Sequence, residues 1–364
     1  VMEKIDGKQF TILVIMNTLG ASIIFIPSIA TGFGKENGWL TVLFSIAFGM
    51  LIVSMYSVII KQQAERDIFC FIEDTFGKWF GVIIIILFNG YLFTNASANL
   101  WAIGDFMSLQ ILMGTPEQAI ELIIIGTALI AIRHGIEVIG RTAEVFFPFT
   151  MLSTSLLTLL VMEEANWQNI QPVFQLNRLD TFVGTIPIIV ITFLELFILL
   201  GITHKVNRPK SAQKGLLLGG FISGMLLLVI TTACIVVLGL KATTHYTYPI
   251  YALGQRISLF NFLERVEILV AFIWFFTIFF KISITFYILS NGMSYLLKLK
   301  NHKTLSIPLA LLLFLGSAIL IPTTFNVFTF IYGPYLVFSV LFTIILPICI
   351  LLINSVKSKQ QKGS

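Results

Sequence analysis

Charge is what this chain has least of. Of its 364 residues, 11% are Asp, Glu, Lys or Arg, less than half of the roughly 25% found in an average soluble domain. That excludes a soluble globular enzyme and a disordered segment, both of which need far more polar surface. Cysteine is nearly as scarce. Cys70, Cys234 and Cys349 are odd in number and scattered, which excludes a secreted disulfide scaffold and gives no metal-ligand spacing. They read as small packing residues. The four histidines, at 134, 204, 245 and 302, stand far apart in sequence, and no metal site is expected from them. No glycine loop that could cradle a phosphate and no nucleophile motif is present. The chain therefore reads as a non-enzyme without a cofactor and without an ATPase motor of its own. Its Lys and Arg residues sit in short segments between apolar runs and form no continuous basic face, which excludes a nucleic-acid binder.

What is there is apolar. Hydrophobic residues make up 57% of the chain and the mean hydropathy is +0.94. A bilayer core needs about 20 apolar residues per helix. Ten runs meet that need, at about 9–31, 38–60, 80–108, 116–133, 143–162, 182–202, 214–239, 265–290, 305–322 and 327–353. They predict an all-α integral membrane protein, a single transmembrane domain over 1–364 with the lipid bilayer as its solvent. No cleavable signal peptide is expected, because the first run follows a short charged head (Glu3, Lys4, Asp6, Lys8) and is too long.

Loop cations give the orientation. With a cytoplasmic N-terminus, 17 Lys and Arg fall on the cytoplasmic side and 4 (Lys35, Arg178, Lys241, Arg256) on the outer side, with Arg265 and Lys281 inside the eighth run. Both termini are then cytoplasmic, as an even number of spans requires. The connection 61–79 mixes Ile68, Phe69, Phe71, Ile72 and Phe76 with charges and predicts an amphipathic helix lying on the cytoplasmic interface. The connection 240–264, with Tyr246, Tyr248, Pro249 and Tyr251, predicts an outer cap with aromatic anchors. Gly215, Gly219, Gly220 and Gly224 in the seventh run argue close helix packing.

Function in a membrane bundle concentrates where a span is broken or polar. In the first run, Gly20, Ala21, Ser22 and Ile23 lie near mid-depth with Pro27 beyond them. Either the helix unwinds there and frees backbone groups for a ligand, or the small residues serve a close contact and the proline a kink. In the sixth run, Gly184 and Pro187 weaken one half and Glu195 stands in the other. A carboxylate at such depth costs roughly 2.5–3.5 kcal/mol on insertion scales and requires a partner, in a structural ion pair or in ligand capture and proton coupling. Lys281, the lysine buried in the eighth run, is one possible partner. Ser283 and Tyr287 share a face of that run, and Lys281 lies about 200° around from Ser283. In the third run Tyr91, Asn95 and Asn99 recur every four residues, with Asp105 beyond. This polar stripe must face the bundle, as interhelical glue or as a cavity lining.

Weak points in spans one and six of ten suggest two five-span repeats of inverted topology, about 9–162 and 182–353, with a ligand between interrupted helices 1 and 6. The architecture resembles the amino acid/polyamine/organocation transporter superfamily. Within it, the chain is most similar to the spore germination permeases, the B subunits of germinant receptors. The residues that carry the resemblance are MEKIDGKQFTILVIMNTLGASIIFIPS at the start, FIEDTFGKWFG after span two and FLELF followed by NRPKSAQKG at span six. FFKISITFYILSNGMS in span eight and IPTTFNVF before span ten complete the set.

The resemblance implies a membrane subunit that binds a small nutrient germinant such as an amino acid and triggers germination. It implies residence in the inner spore membrane beside a receptor A subunit and a lipoprotein C subunit. Carried onto this sequence, the pocket takes Gly20, Ala21, Ser22 and Ile23 from span one, and Tyr91 and Asn95 from span three. Phe193, Leu194 and Glu195 come from span six, and Ser283 and Tyr287 from span eight. Superfamily members often have glycine at the span-six break, where this chain has Thr192-Phe193-Leu194. Two other functions stay open on the residues: a proton-coupled amino-acid transporter with Glu195 as proton carrier, and a ligand-gated channel component with a hydrated path past Tyr91, Asn95, Asn99 and Asp105.

Overall fold

A computed structural model describes residues 4–172, 178–256, 267–321 and 323–363. Arg265, residues 257–264 of the expected outer cap and Pro322 lie outside the described residues. Helices account for nearly all of the described chain. One isolated bridge, between Ile5 and Val206, is the strand-like pairing among the described residues.

Helix α1 (Gly7–Gly34) opens on a capping box: Asp6 Oδ1 accepts from Gln9 N at 2.7 Å and Gln9 Oε1 accepts from Asp6 N at 3.1 Å. It runs through Pro27 and loses helical geometry at Gly20, where φ is −9° and ψ −110°. A 3₁₀ turn (Lys35–Asn37) leads to α2 (Gly38–Gln63), which packs against α1. Helix α3 (Ile68–Phe76) precedes α4 (Lys78–Phe106), and a π turn (Met107–Ile111) follows α4. Helices α5 (Glu117–His134) and α6 (Ile136–Val161) close the first half.

In the second half, α7 (Arg178–Thr192) passes through Gly184 and Pro187 and gives way after Phe193 to a 3₁₀ helix, Leu194–Lys205. The change of helix type therefore falls at Thr192-Phe193-Leu194 and not at Gly184 or Pro187. Gly184 instead serves packing, since a Cβ there would stand 2.5 Å from Phe33 Cβ. Helix α8 (Pro209–His245), the short α9 (Pro249–Arg256), α10 (Glu267–Leu296) and α11 (Ser306–Leu320) follow. The last helical stretch comprises α12 (Val327–Phe330), α13 (Leu336–Val340) and α14 (Leu346–Gly363), joined by π turns at Ile331–Tyr335 and Leu341–Ile345.

Among the described residues, seven stretches are long and apolar enough to cross a membrane. The first of them, Gly7–Gln63, contains both α1 and α2. Helix α5 carries Glu117, Glu121 and Arg133, and α11 has 15 residues, so both fall short of that test.

Helix α1 is the centre of the packing, against α2, α7, α8 and α10. Its approach to α8 depends on the glycines of α8: a Cβ at Gly219 would stand 2.6 Å from Val14 Cγ1, and one at Gly215 2.9 Å from Thr11 Oγ1. The start of α1 is also tied to the end of the 3₁₀ helix. Ile5 N donates to Lys205 O at 3.0 Å and Asn207 N donates to Ile5 O at 3.1 Å.

Helix α3 corrects one expectation. Its apolar residues Ile68, Phe69, Phe71 and Ile72 are buried in the protein and do not lie on a lipid interface. Phe69 packs on Phe88 and Tyr295, and Lys357 Nζ donates to the carbonyls of Asp74 and Thr75 at 2.9 and 3.0 Å. At the other end, α9 brings Tyr251 against Phe106, and Tyr248 just before it also meets that ring.

Candidate binding site at the helix break

The break at Gly20 is held by α10. Trp274 Nε1 donates to Gly20 O at 2.8 Å, and the stem of Lys281 lies so close that a Cβ on Gly20 would stand 2.5 Å from Lys281 Cδ. Trp274 and Lys281 are seven residues apart, two turns of one α-helix, so one face of α10 covers the break. Glycine is required at position 20 because no larger residue leaves room for the lysine.

Lys281 Nζ meets Glu195 Oε2 at 2.5 Å, and their side chains are 1% and 4% exposed. Nζ has no further hydrogen-bond partner among the described residues. The other carboxylate oxygen of Glu195 accepts a hydrogen bond from the Tyr335 hydroxyl. That hydroxyl in turn accepts from Asn95 Nδ2 at 2.7 Å. Asn95 Oδ1 accepts from Asn99 Nδ2 at 3.2 Å and from Thr285 Oγ1 at 3.4 Å. A continuous polar chain thus runs from Lys281 through Glu195, Tyr335 and Asn95 to Asn99. Its burial from solvent is affordable because nearly every member has a partner.

Beside this chain is a small cavity of about 40 Å³. Ala21 and Phe25 of α1, Asn99 and Trp101 of α4, Ile191 of α7, Glu195 and Tyr335 are among its walls. The lining is mostly apolar with a few polar groups converging on one side, the usual make-up of a small-molecule site. Among the described residues no group of three or more His, Cys, Asp or Glu could hold a metal ion.

The structure brings Gly20, Ala21, Asn95, Glu195 and Lys281 together, and adds Asn99 to them. Tyr91 stands behind the chain, its ring stacked on Tyr335 at 6.2 Å. The remaining residues lie elsewhere. Ser22 Oγ donates to Ile191 O at 2.8 Å, fastening α1 to α7. Ile23 and Leu194 are buried packing residues. Phe193 is wedged against Gly49 of α2 and Gly224 of α8. Ser283 is buried away from the cavity lining, and Tyr287 packs edge-on against His302 at 5.2 Å.

Two residues of the site were not evident from sequence. Tyr335 sits in an apolar run, and its signal was the neighbouring Gly333-Pro334, where the last span is interrupted. Trp274 gave no signal, since its contact is to a backbone carbonyl that exists only in the folded chain.

A family model described as spore germination protein matches residues 4–325. The chain belongs to the spore germination permease family. Curated relatives include spore germination protein KB of Bacillus subtilis, 25% identical over 319 residues, which cover 85% of this chain and 84% of that protein. Spore germination protein A2 of the same organism is 26% identical over 298 residues, 80% of each chain. Among solved structures, a Na⁺-coupled sialic acid symporter in a substrate-bound outward-open state aligns with a TM-score of 0.65 at 12% identity, covering 94% of this chain and 80% of the symporter. MhsT in complex with L-phenylalanine aligns with a TM-score of 0.63 at 14% identity, covering 95% and 97%. Identities this low establish a shared transporter fold and nothing finer. Family membership and the apolar helices together make this spore germination permease an integral, multi-pass membrane protein of a permease class rather than of an enzyme class.

Proposed function

We propose that the chain is the membrane subunit of a spore germinant receptor and that it binds a small nutrient, an amino acid, in the cavity beside Gly20. The observation that carries this reading is the Lys281–Glu195 pair at the break of α1, one wall of which opens on the cavity. An amino acid carries one charge of each sign, and the pair offers a complement to each. Its ammonium is matched by Glu195, and its carboxylate by Lys281 and the backbone N–H groups at Ala21 and Ser22, aided by a helix-end dipole. Phe25, Trp101 and Ile191 bound the side chain, where one methylene changes affinity by roughly 1–3 kcal/mol. Binding shifts the helices by its differential affinity for two states.

The reading includes ten spans in two inverted five-span repeats: α1, α2, α4, α5 and α6, then α7 with its 3₁₀ extension, α8, α10, α11 and the α12–α14 stretch. It places both termini in the cytoplasm and the protein in the inner spore membrane, beside a receptor A subunit and a lipoprotein C subunit. The fold shared with a Na⁺-coupled symporter supports a second reading, a proton-coupled amino-acid transporter.

Purified protein in liposomes, offered labelled small amino acids with and without a proton gradient, separates the two. Saturable binding that stops near one ligand per protein supports the receptor. Uptake that grows with time and responds to the gradient supports the transporter. Absence of binding both alone and in the co-expressed receptor complex overturns the site.

A further inference from the structure

A second carboxyl group is buried in the bundle, away from the helix break. Glu121 of α5 is 1% exposed. Its Oε1 has no hydrogen-bond partner and its Oε2 lies 2.7 Å from Ser317 Oγ of α11. No lysine, arginine or histidine pairs with it among the described residues. Of the charged groups on the helices packed against α5, Lys281 is held by Glu195, Arg141 by Glu137 and Glu144 by Lys8. Glu267 stands beside Gly254 of α9, and His302 meets α5 at Ile132, three turns away. The charged group close to Glu121 is acidic, Glu117 one turn earlier, and beyond Glu117 is Asp105 of α4, which is itself held by Tyr248 and Thr324.

Ser317 is the one hydrogen-bond partner of the Glu121 carboxyl among the described residues. Its Oγ is 2.7 Å from Glu121 Oε2 and also 2.7 Å from the carbonyl oxygen of Phe314. A serine hydroxyl has one proton, and a carbonyl can only accept. If that proton goes to the Phe314 carbonyl, the short contact to Glu121 is a bond only when the carboxyl donates. An ionised carboxylate would leave Oε1 without a donor and a net charge buried without a counterion.

We propose that Glu121 is a proton-binding site. The protonated carboxyl needs no counterion, and Ser317 Oγ, 2.7 Å from Oε2, hydrogen-bonds it. The Glu121–Ser317 bond joins α5 to α11. Gly104 of α4 makes space for the carboxyl and for its exit path: a Cβ there would stand 2.7 Å from Glu121 Cγ and 2.9 Å from Glu117 Cγ. Glu117 is half-buried, so the proton passes between Glu121 and solvent by way of Glu117. Loss of the proton leaves a net charge buried between α5 and α11 with Ser317 as its one hydrogen-bond donor among the described residues. Helix α11 leads directly to Ile321, a wall of the cavity, so the protonation state of Glu121 acts on the cavity from behind.

Infrared difference spectroscopy of the full-length protein in liposomes, between about pH 5 and pH 9, reads the C=O stretch of protonated carboxyl groups directly. The expected result is a band that bleaches as pH rises and is lost in Glu121→Gln, whose amide keeps a hydrogen-bond partner for Ser317 and so keeps the fold. In Ser317→Ala the band should remain and change frequency. A pH-dependent band identical in wild type and Glu121→Gln overturns the proposal, as does a wild-type spectrum with no pH-dependent carboxyl band.

Discussion

Lys281 and Glu195 face each other at 2.5 Å with almost no access to solvent, and the lysine reaches its partner by lying across Gly20. The pair is thus part of the helix break and not an independent ion pair. Removing one member leaves the other charge buried alone, which costs about 3–5 kcal/mol, whereas removing both can be nearly neutral. Lys281→Met and Glu195→Gln should each lower the melting temperature of the detergent-solubilised protein, and the double variant should recover most of the loss. Additive losses would show that the two residues act separately. Ligand affinity or its pH dependence should also change in Glu195→Gln, and a variant matching wild type from about pH 5 to pH 8 would reduce Glu195 to scaffold.

Position 20 should tolerate no side chain. A tryptophan at Gly20 is a natural choice for plugging a pocket, yet even alanine would meet the Lys281 stem at 2.5 Å. Gly20→Ala should therefore act by displacing the lysine from Glu195. Membrane insertion should be intact, and ligand affinity should fall at least about tenfold, the equivalent of 1.4 kcal/mol. An unchanged half-saturation point would remove Gly20 from the site.

Tyr335 joins Asn95 to Glu195, and its ring also stacks on Tyr91 and Phe330. Tyr335→Phe keeps the ring and removes the bridge. Two buried polar groups then lose a partner, at about 1–3 kcal/mol. Thermal unfolding and ligand titration should both register the loss. Tyr335→Ala should be worse, because stacking goes as well.

A pH effect is expected outside the membrane spans, at Asp67. Burial raises this carboxyl above its usual value of 3.8, opposed by His204, the Phe69 N–H and Lys205. A carboxyl raised in the folded state holds its proton more tightly there than in the unfolded chain. Its contribution to stability is therefore full at low pH and is lost as pH rises from 3.8 through the raised value. Asp67→Asn keeps an oxygen for the Phe69 N–H and removes the titration. Its melting temperature should vary less over that window, and a slope equal to wild type would assign the effect to another group.

The helices were legible because lipid leaves the backbone few choices. Apolar run length placed them. Gly20 was legible as a weak point because small residues at mid-run are conspicuous. Glu195 and Lys281 were each conspicuous too, as charges where charge is expensive, but their meeting depends on the packing of α7 and α10. Ser283 and Tyr287 entered the site through the family resemblance, and their helical spacing fixes a shared face and not what the face meets. Glu121 satisfies the same rule that singled out Glu195. It escaped notice because α5 has charges at both ends, and a carboxyl one turn in looks like part of the end.

Residues Leu194–Lys205 form a 3₁₀ helix between Glu195 and the Ile5–Val206 bridge. A 3₁₀ helix rises about 2.0 Å per residue and an α-helix about 1.5 Å, so twelve residues span about 24 Å in one form and about 18 Å in the other. The 3₁₀ form puts positions 195, 198, 201 and 204 in one row. Relaxation at the Glu195 end would shorten it by about 6 Å. The shortening would draw His204, its contact with Asp67, and the strand-like tether to the start of α1 toward the cavity. The rod under the site is thus a measure of length, and its far end is where a change at Glu195 would be felt.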